Sequence, residues 1–267
     1  MAGINTLLWR IWQGAKFIIQ AKTRHGVHSP YVTNFIDAVL KDIPTAAGAQ
    51  INVFRKKLAA NSTIVEISDL GAGYDQDRQQ KRQVTLQQII SSSARSRASG
   101  EFLARLVHWK KPTTALELGT NIGFSMLYQF SASPTTQWHT IEGSPNLAKL
   151  AQSHFQQFQI NPKLHIGSFQ NILPELLKTL PSIDYVLIDG HHTGKSINEL
   201  CCILIPYLAP EAIVVVDDIR WNSDMYSGWE RIQAMPEFSV TIELFQTGIC
   251  VYCQSQATQH FKLLSWQ

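Results

Sequence analysis

ALELGTNIGFS, residues 115–125, reads as an apolar strand that breaks into a glycine turn and restarts as a helix. One strand later comes TIEGSP, residues 140–145, which places Glu142 19 residues after Gly123. A carboxylate at the end of the second strand can accept the hydroxyl hydrogens of a ribose lying across the first turn. A second glycine turn, Asp69-Leu70-Gly71-Ala72-Gly73, has no following strand that ends in an acid. It therefore reads as a tight turn or part of a lid, and the 115–125 turn is the nucleotide candidate.

Working outward, the same alternation repeats. Helix GEFLARLVHW leads to strand TALELG (114–119), then a helix from Gly123 to Phe130 and strand WHTIEG (138–143). A helix across NLAKLAQSHFQQF, strand KLHIG (163–167), a helix across ILPELLKTL and strand DYVLIDG (184–190) come next. SINELCCILIPYL opens with Ser196 and Glu199 at capping-box spacing. Strand AIVVVDD (212–218), a helix near MYSGWERIQ, and the runs SVTIELF and GICVYC, joined by Gln246-Thr247-Gly248, complete the order. Apolar strands alternating with helices specify an α/β fold, a doubly wound and mostly parallel seven-stranded sheet of Rossmann-like form, closed by an antiparallel hairpin. Residues 99–267 form this domain and residues 1–98 a helical N-terminal extension.

Charge narrows the ligand. A pyrophosphate wants G-x-G-x-x-G at a helix start with no carboxylate beside it. Here the glycines are spaced G-x-x-x-G and Glu117 precedes them. That acid repels phosphate and suits a sulfonium and an ammonium, the cationic groups of S-adenosylmethionine. A NAD-dependent oxidoreductase is disfavoured on the same ground.

On these residues the chain resembles the class I S-adenosylmethionine-dependent methyltransferases, and within them the metal-dependent O-methyltransferases of the catechol and caffeoyl-CoA type. ALELGTNIGFS, TIEGSP, GSFQNILPEL (167–176), DYVLIDGHH (184–192) and VVVDDI (214–219) carry the likeness. With RHGVHSPYV and VTIELFQTGICVY, the chain is also similar to a bacterial methyltransferase family. The resemblance implies that Glu117, Gly119, Asn121, Gly123 and Ser125 shape the methionine pocket. Glu142 would match the ribose acid, and Ser168, Phe169 and Gln170 the adenine side. Asp189 would lie near both the donor and a divalent metal such as Mg²⁺, with Asp217 and Asp218 as further ligands. The second of that pair is Asp where the family has an amide. His192, or its neighbour His191, would take the acceptor's proton, and Trp221 could wall an aromatic acceptor. The reaction implied is O-methylation of a small molecule.

Composition bounds the rest. The chain has 267 residues, 45% hydrophobic, with Lys+Arg 23 against Asp+Glu 20. That is ample for a core and only mildly basic, so nucleic acid is allowed but not called for. Arg78, Lys81, Arg82, Arg95 and Arg97 give the 61–98 region its basic character and keep an RNA acceptor as the rival reading. In that region QDRQQKRQVTLQQII reads as helix-compatible. Residues 4–19 carry apolar side chains at helical spacing, expected to dock on the domain or on a second copy in a homodimer. Ser29-Pro30 reads as a helix start. No run reaches a membrane span, and the charged N-terminus argues against a signal peptide. Cys201, Cys202, Cys250 and Cys253 read as packing thiols, so a cytoplasmic location is expected.

Overall fold

In a computed structural model the structure describes residues 2–69, 80–92, 96–190, 192–253 and 257–264. In chain order the elements are α1 (Ala2–Gln20), α2 (Pro30–Phe35), α3 (Gly48–Ala59), β1 (Ile64–Asp69), β2 (Gln80–Thr85), α4 (Leu86–Ser92) and α5 (Arg97–Lys110). Then come β3 (Thr114–Leu118), α6 (Phe124–Ala132), β4 (Gln137–Glu142), α7 (Pro145–Gln157), β5 (Lys163–Ile166), α8 (Phe169–Thr179) and β6 (Ile183–Ile188). The chain ends with α9 (Gly194–Leu204), β7 (Leu208–Val216), α10 (Ser223–Gln233), β8 (Phe238–Glu243), β9 (Gly248–Tyr252) and β10 (Gln259–Lys262). Strands β3–β10 make a mainly parallel eight-stranded sheet, the α/β architecture expected from the alternation, with β10 as a strand beyond the seven anticipated.

Two compact units divide the chain. In the unit spanning residues 37–180, β3, β4 and β5 run parallel, with Glu117 opposite Thr140 and Glu142 opposite Ile166. Every residue of β3 is buried, as a strand covered on both faces requires. The same unit holds a separate antiparallel pair, β1 with β2. Strand β2 corrects the helical reading of 80–85. QKRQVT carries no apolar stripe of its own, and pairing along all six residues of β1 supplies the backbone partners a helix would have made internally. The helix starts only at Leu86, where Leu86, Ile89 and Ile90 are buried. The turn Gly71–Gly73, together with Arg78 and Arg95, lies outside the described residues.

The other unit joins residues 1–36 to 181–266. Here β6 runs parallel to β7, β7 pairs antiparallel with β9, β9 with β8, and β10 lies parallel to β8. The expected hairpin is thus β8–β9. The cap of α9 sits three residues earlier than the Ser196–Glu199 spacing suggested. Thr193 Oγ1 accepts the amide of Ser196 at 3.2 Å, so Ser196 lies inside the first turn. Pro30 opens α2 after Ser29, as read, although the serine side chain makes no cap bond. Helix α1 docks through Phe17 and Gln13, which are buried, and leaves its apolar stripe exposed. The side that docks is therefore not the stripe the periodicity picked out. All four cysteines are free, and burial raises the pKa of Cys201 and Cys250. No helix among the described residues is long and apolar enough to cross a membrane.

Candidate active site

The site residues fall into two clusters, one in each unit. The first is the turn between β3 and α6. Gly119 has φ +105°, Asn121 +51° and Gly123 +87°, so the chain enters the left-handed region three times in five residues. At Gly123 a side chain is excluded twice over, because a Cβ would also meet Phe155 of α7 at 2.6 Å. Asparagine is among the few residues that tolerate the middle position.

All five amides of the turn are taken. Gly119 and Thr120 donate to Ile141 O at 3.0 and 3.2 Å, and Gly123 donates to Thr120 O at 2.9 Å. Asn121 donates to Glu142 Oε2 at 2.7 Å, and Ile122 to Asn121 Oδ1 at 2.7 Å. A phosphate-binding loop needs such amides pointing outward. This loop has spent its donors internally, which agrees with the charge argument against a pyrophosphate.

Glu142 is fixed from two sides, since its Oε1 also accepts the Ser144 amide at 2.8 Å, and it is only 8% exposed. Its two oxygens carry about four acceptor positions in all. Glu117 is the acid that precedes the turn. It is fully buried and accepts from Gln129 Nε2 at 2.5 Å and Thr140 Oγ1 at 3.1 Å, tying β3 to α6 and β4. Ser125 is buried in the first turn of α6. Ser168 caps α8 through the Asn171 amide at 3.3 Å, Phe169 is buried and Gln170 is exposed.

Sequence reasoning missed His154. Its Nδ1 lies 2.8 Å from Ile122 O, and burial lowers its pKa, so the neutral ring donates to that carbonyl and braces the turn from α7. A histidine inside an amphipathic helix gives no signal of this in sequence.

The second cluster lies at the ends of β6 and β7. The Asp217 amide donates to Ile188 O at 3.0 Å and sets the two strand ends side by side. Asp217 is buried, and its Oδ1 accepts from Thr247 Oγ1 at 3.0 Å. Asp218 takes φ +52°, and its carbonyl accepts the Trp221 amide at 2.8 Å, a turn that swings Trp221 outward to 48% exposure. The Trp221 ring faces His192 with centroids 5.6 Å apart and planes 29° from parallel. His192 Nδ1 is buried without a hydrogen-bond partner among the described residues. His191 lies outside the described residues.

Glycines that no motif flagged build this pairing. A Cβ on Gly228 of α10 would meet Gly194 Cα of α9 at 2.4 Å, so the helices touch backbone to backbone. Asn198 Nδ2 donates to Gly194 O and Gly228 O, and Asp224 accepts the Gly194 amide at 2.7 Å. His192 just precedes α9 and Trp221 just precedes α10, so this contact sets their separation.

Among the described residues no three of His, Cys, Asp and Glu gather into a group that could hold an ion. Asp217 is engaged with Thr247, and Asp218 sits in a left-handed turn. Of the basic stretch offered to RNA, Arg97 is paired with Glu101 at 2.8 Å.

Comparison with known proteins matches this geometry. A family model described as a methyltransferase domain fits residues 116–219, from the middle of β3 to just past Asp218. The solved S-adenosylhomocysteine-bound methyltransferase of Podospora anserina superimposes with a TM-score of 0.57 at 13% identity, covering 85% of this chain and 97% of that one. The Bacillus cereus O-methyltransferase solved with S-adenosylhomocysteine gives 0.52 at 14%, covering 84% and 97%. TomG of Streptomyces achromogenes, an O-methyltransferase of tomaymycin synthesis solved with S-adenosylmethionine, gives 0.53 at 20%, covering 60% and 82%. At these identities the likeness is one of fold.

Proposed function

Because the chain carries a methyltransferase domain on this fold, we propose that it moves a methyl group from S-adenosylmethionine to a hydroxyl of a small molecule. The observation that carries the reading is Glu142, clamped by the Asn121 and Ser144 amides beside a glycine turn with no amide left for phosphate. The donor, when bound, supplies an electrophilic methyl on a sulfonium.

The chain's own residues supply the rest. Glu142 accepts from the ribose hydroxyls. The buried charge of Glu117, behind the turn, favours a cation over an anion there. Phe169 offers an apolar surface beside the adenine, with Ser168 and Gln170 as its polar neighbours. Ser125 and Asn121 border the methionine end. His192 Nδ1, buried and with no partner among the described residues, would accept the hydroxyl proton of the acceptor as the methyl leaves the donor sulfur for that oxygen. Trp221 offers a flat face to an aromatic acceptor. Asp189, just past the end of β6, is assigned to the donor side. Holding the reactants in line does most of the catalytic work.

The test is methyl transfer from labelled donor to a panel of phenols and catechols, with bulk tRNA in parallel. Label on a small hydroxyl supports the reading. Label in RNA alone overturns it.

A further inference from the structure

Helix α1 exposes Leu7, Leu8, Ile11, Trp12, Ile18 and Ile19, each between 58% and 84% accessible. Single apolar side chains on a surface need no explanation, but six along one side of one helix do. The helix cannot roll to hide them. Its other side is pinned by Trp9 against Tyr226, with centroids 6.2 Å apart, and by Phe17 against Phe245 at 5.6 Å. Arg220, fully buried and bonded to Glu243, holds its guanidinium 5.0 Å from the Phe17 ring and 4.6 Å from that of Tyr226.

Charge identifies what covers the stripe. Residues 1–36 contain Arg10, Lys16, Lys22 and Arg24 and no acid, leaving 19 cations against 20 acids in the rest of the chain. The net positive charge of the sequence thus falls within residues 1–36. Lys16 lies 5.2 Å over the Trp12 ring, beside the stripe. Two residues past the helix, Lys22, His28, Ser29 and Gln259 line a cavity of about 610 Å³. A second copy packed on the stripe would set cations against cations with no acid in this segment to pair them. An anionic bilayer meets both features, since its acyl boundary takes Leu, Ile and Trp and its headgroups take Lys and Arg.

We propose that α1 is a membrane-docking element that lies in the plane of an anionic lipid surface, its stripe immersed and the Lys22 cavity at the headgroups. The helix lies on the bilayer and does not cross it.

Sedimentation of the full chain with vesicles tests this directly. The account expects binding to phosphatidylcholine vesicles containing about one-third phosphatidylglycerol, weak binding to phosphatidylcholine alone, and release by salt. Ile11→Glu combined with Ile18→Glu lowers the bound fraction about tenfold with the unfolding midpoint unchanged. Leu8→Ser combined with Ile19→Ser is a milder second variant with the same readout. A chain that stays in the supernatant with anionic vesicles overturns the proposal. So does a dimer, seen by light scattering without vesicle binding and abolished by the same substitutions, which would assign the stripe to a second copy.

Discussion

The two clusters of the candidate site differ in how far their polar groups are satisfied. In the turn after β3 every amide from Gly119 to Gly123 has a partner within the protein, and Glu142 is held by two more. At the ends of β6 and β7, His192 keeps a buried nitrogen with no partner among the described residues, and Trp221 stands half exposed. Buried polar groups are normally paired. On the proposed function the first cluster would be preorganised for the donor and the second left incomplete for a variable acceptor.

The comparison can be broken most sharply at His192. His192→Ala should lower kcat by about 10²–10⁴-fold while S-adenosylhomocysteine affinity stays within about twofold, as for loss of a general base. A kcat unchanged at every pH would remove His192 from the chemistry. At the satisfied end, Gly123→Ala introduces both the left-handed strain and the contact with Phe155, and should destabilise the fold by about 2–4 kcal/mol in chemical denaturation. Phe155→Leu should recover part of that loss, because it frees the space but not the backbone angle.

A smaller effect tests the tight packing of the same unit by pH. His139, on β4, is buried, and its Nδ1 lies 3.1 Å from His165 Nε2 with the ring planes 6° from parallel. Burial, with the neighbouring His165 and Lys163, pushes its pKa down to about 4. The unfolded chain, with an ordinary imidazole near 6.5, therefore takes up the proton first. Stability is whole above about pH 6.5, falls as the pH drops toward 4, and levels below, a loss of order 2–3 kcal/mol. Denaturant midpoints from pH 7.5 to 4 check it, and His139→Asn should flatten the slope. Smallest is Trp221→Ala, expected to raise KM for an aromatic acceptor about three- to tenfold with kcat little changed.

Most of the fold was legible because it is written in local patterns. Apolar strands such as VLI and IVVV, glycines at positive φ and an acid closing β4 are each signals within about 30 residues. The turn at 119–123 stands apart from Gly71–Gly73 in sequence because a strand ending in Glu142 comes one helix later. The features that escaped depend on partners distant in the chain. Strand β2 exists because β1 lies beside it, and the cap at Thr193 was masked by a better-looking Ser196–Glu199 spacing. Glu117 accepts from Gln129 and Thr140, 12 and 23 residues on, which the motif alone does not announce. His154 braces the turn from 32 residues away, and Gly194 meets Gly228 across two helices. The left-handed backbone at Asp218 and the Thr247 hydroxyl on Asp217 are likewise contacts that the run VVVDDI does not announce. The periodicity of α1 was read correctly. The stripe does not meet this chain's own domain, since spacing says which residues share a face and not what that face meets.

The claim that most depends on this geometry is that the Glu142-clamped turn receives a cationic nucleoside donor rather than a dinucleotide. Calorimetric titration of S-adenosylhomocysteine and of NAD into the wild-type chain and into Glu142→Ala tests it. The account predicts S-adenosylhomocysteine binding to the wild type, weakened at least about tenfold by the substitution as charge-assisted hydrogen bonds are lost, and no measurable heat with NAD. Binding of NAD in preference to S-adenosylhomocysteine, or donor affinity indifferent to Glu142, would contradict it.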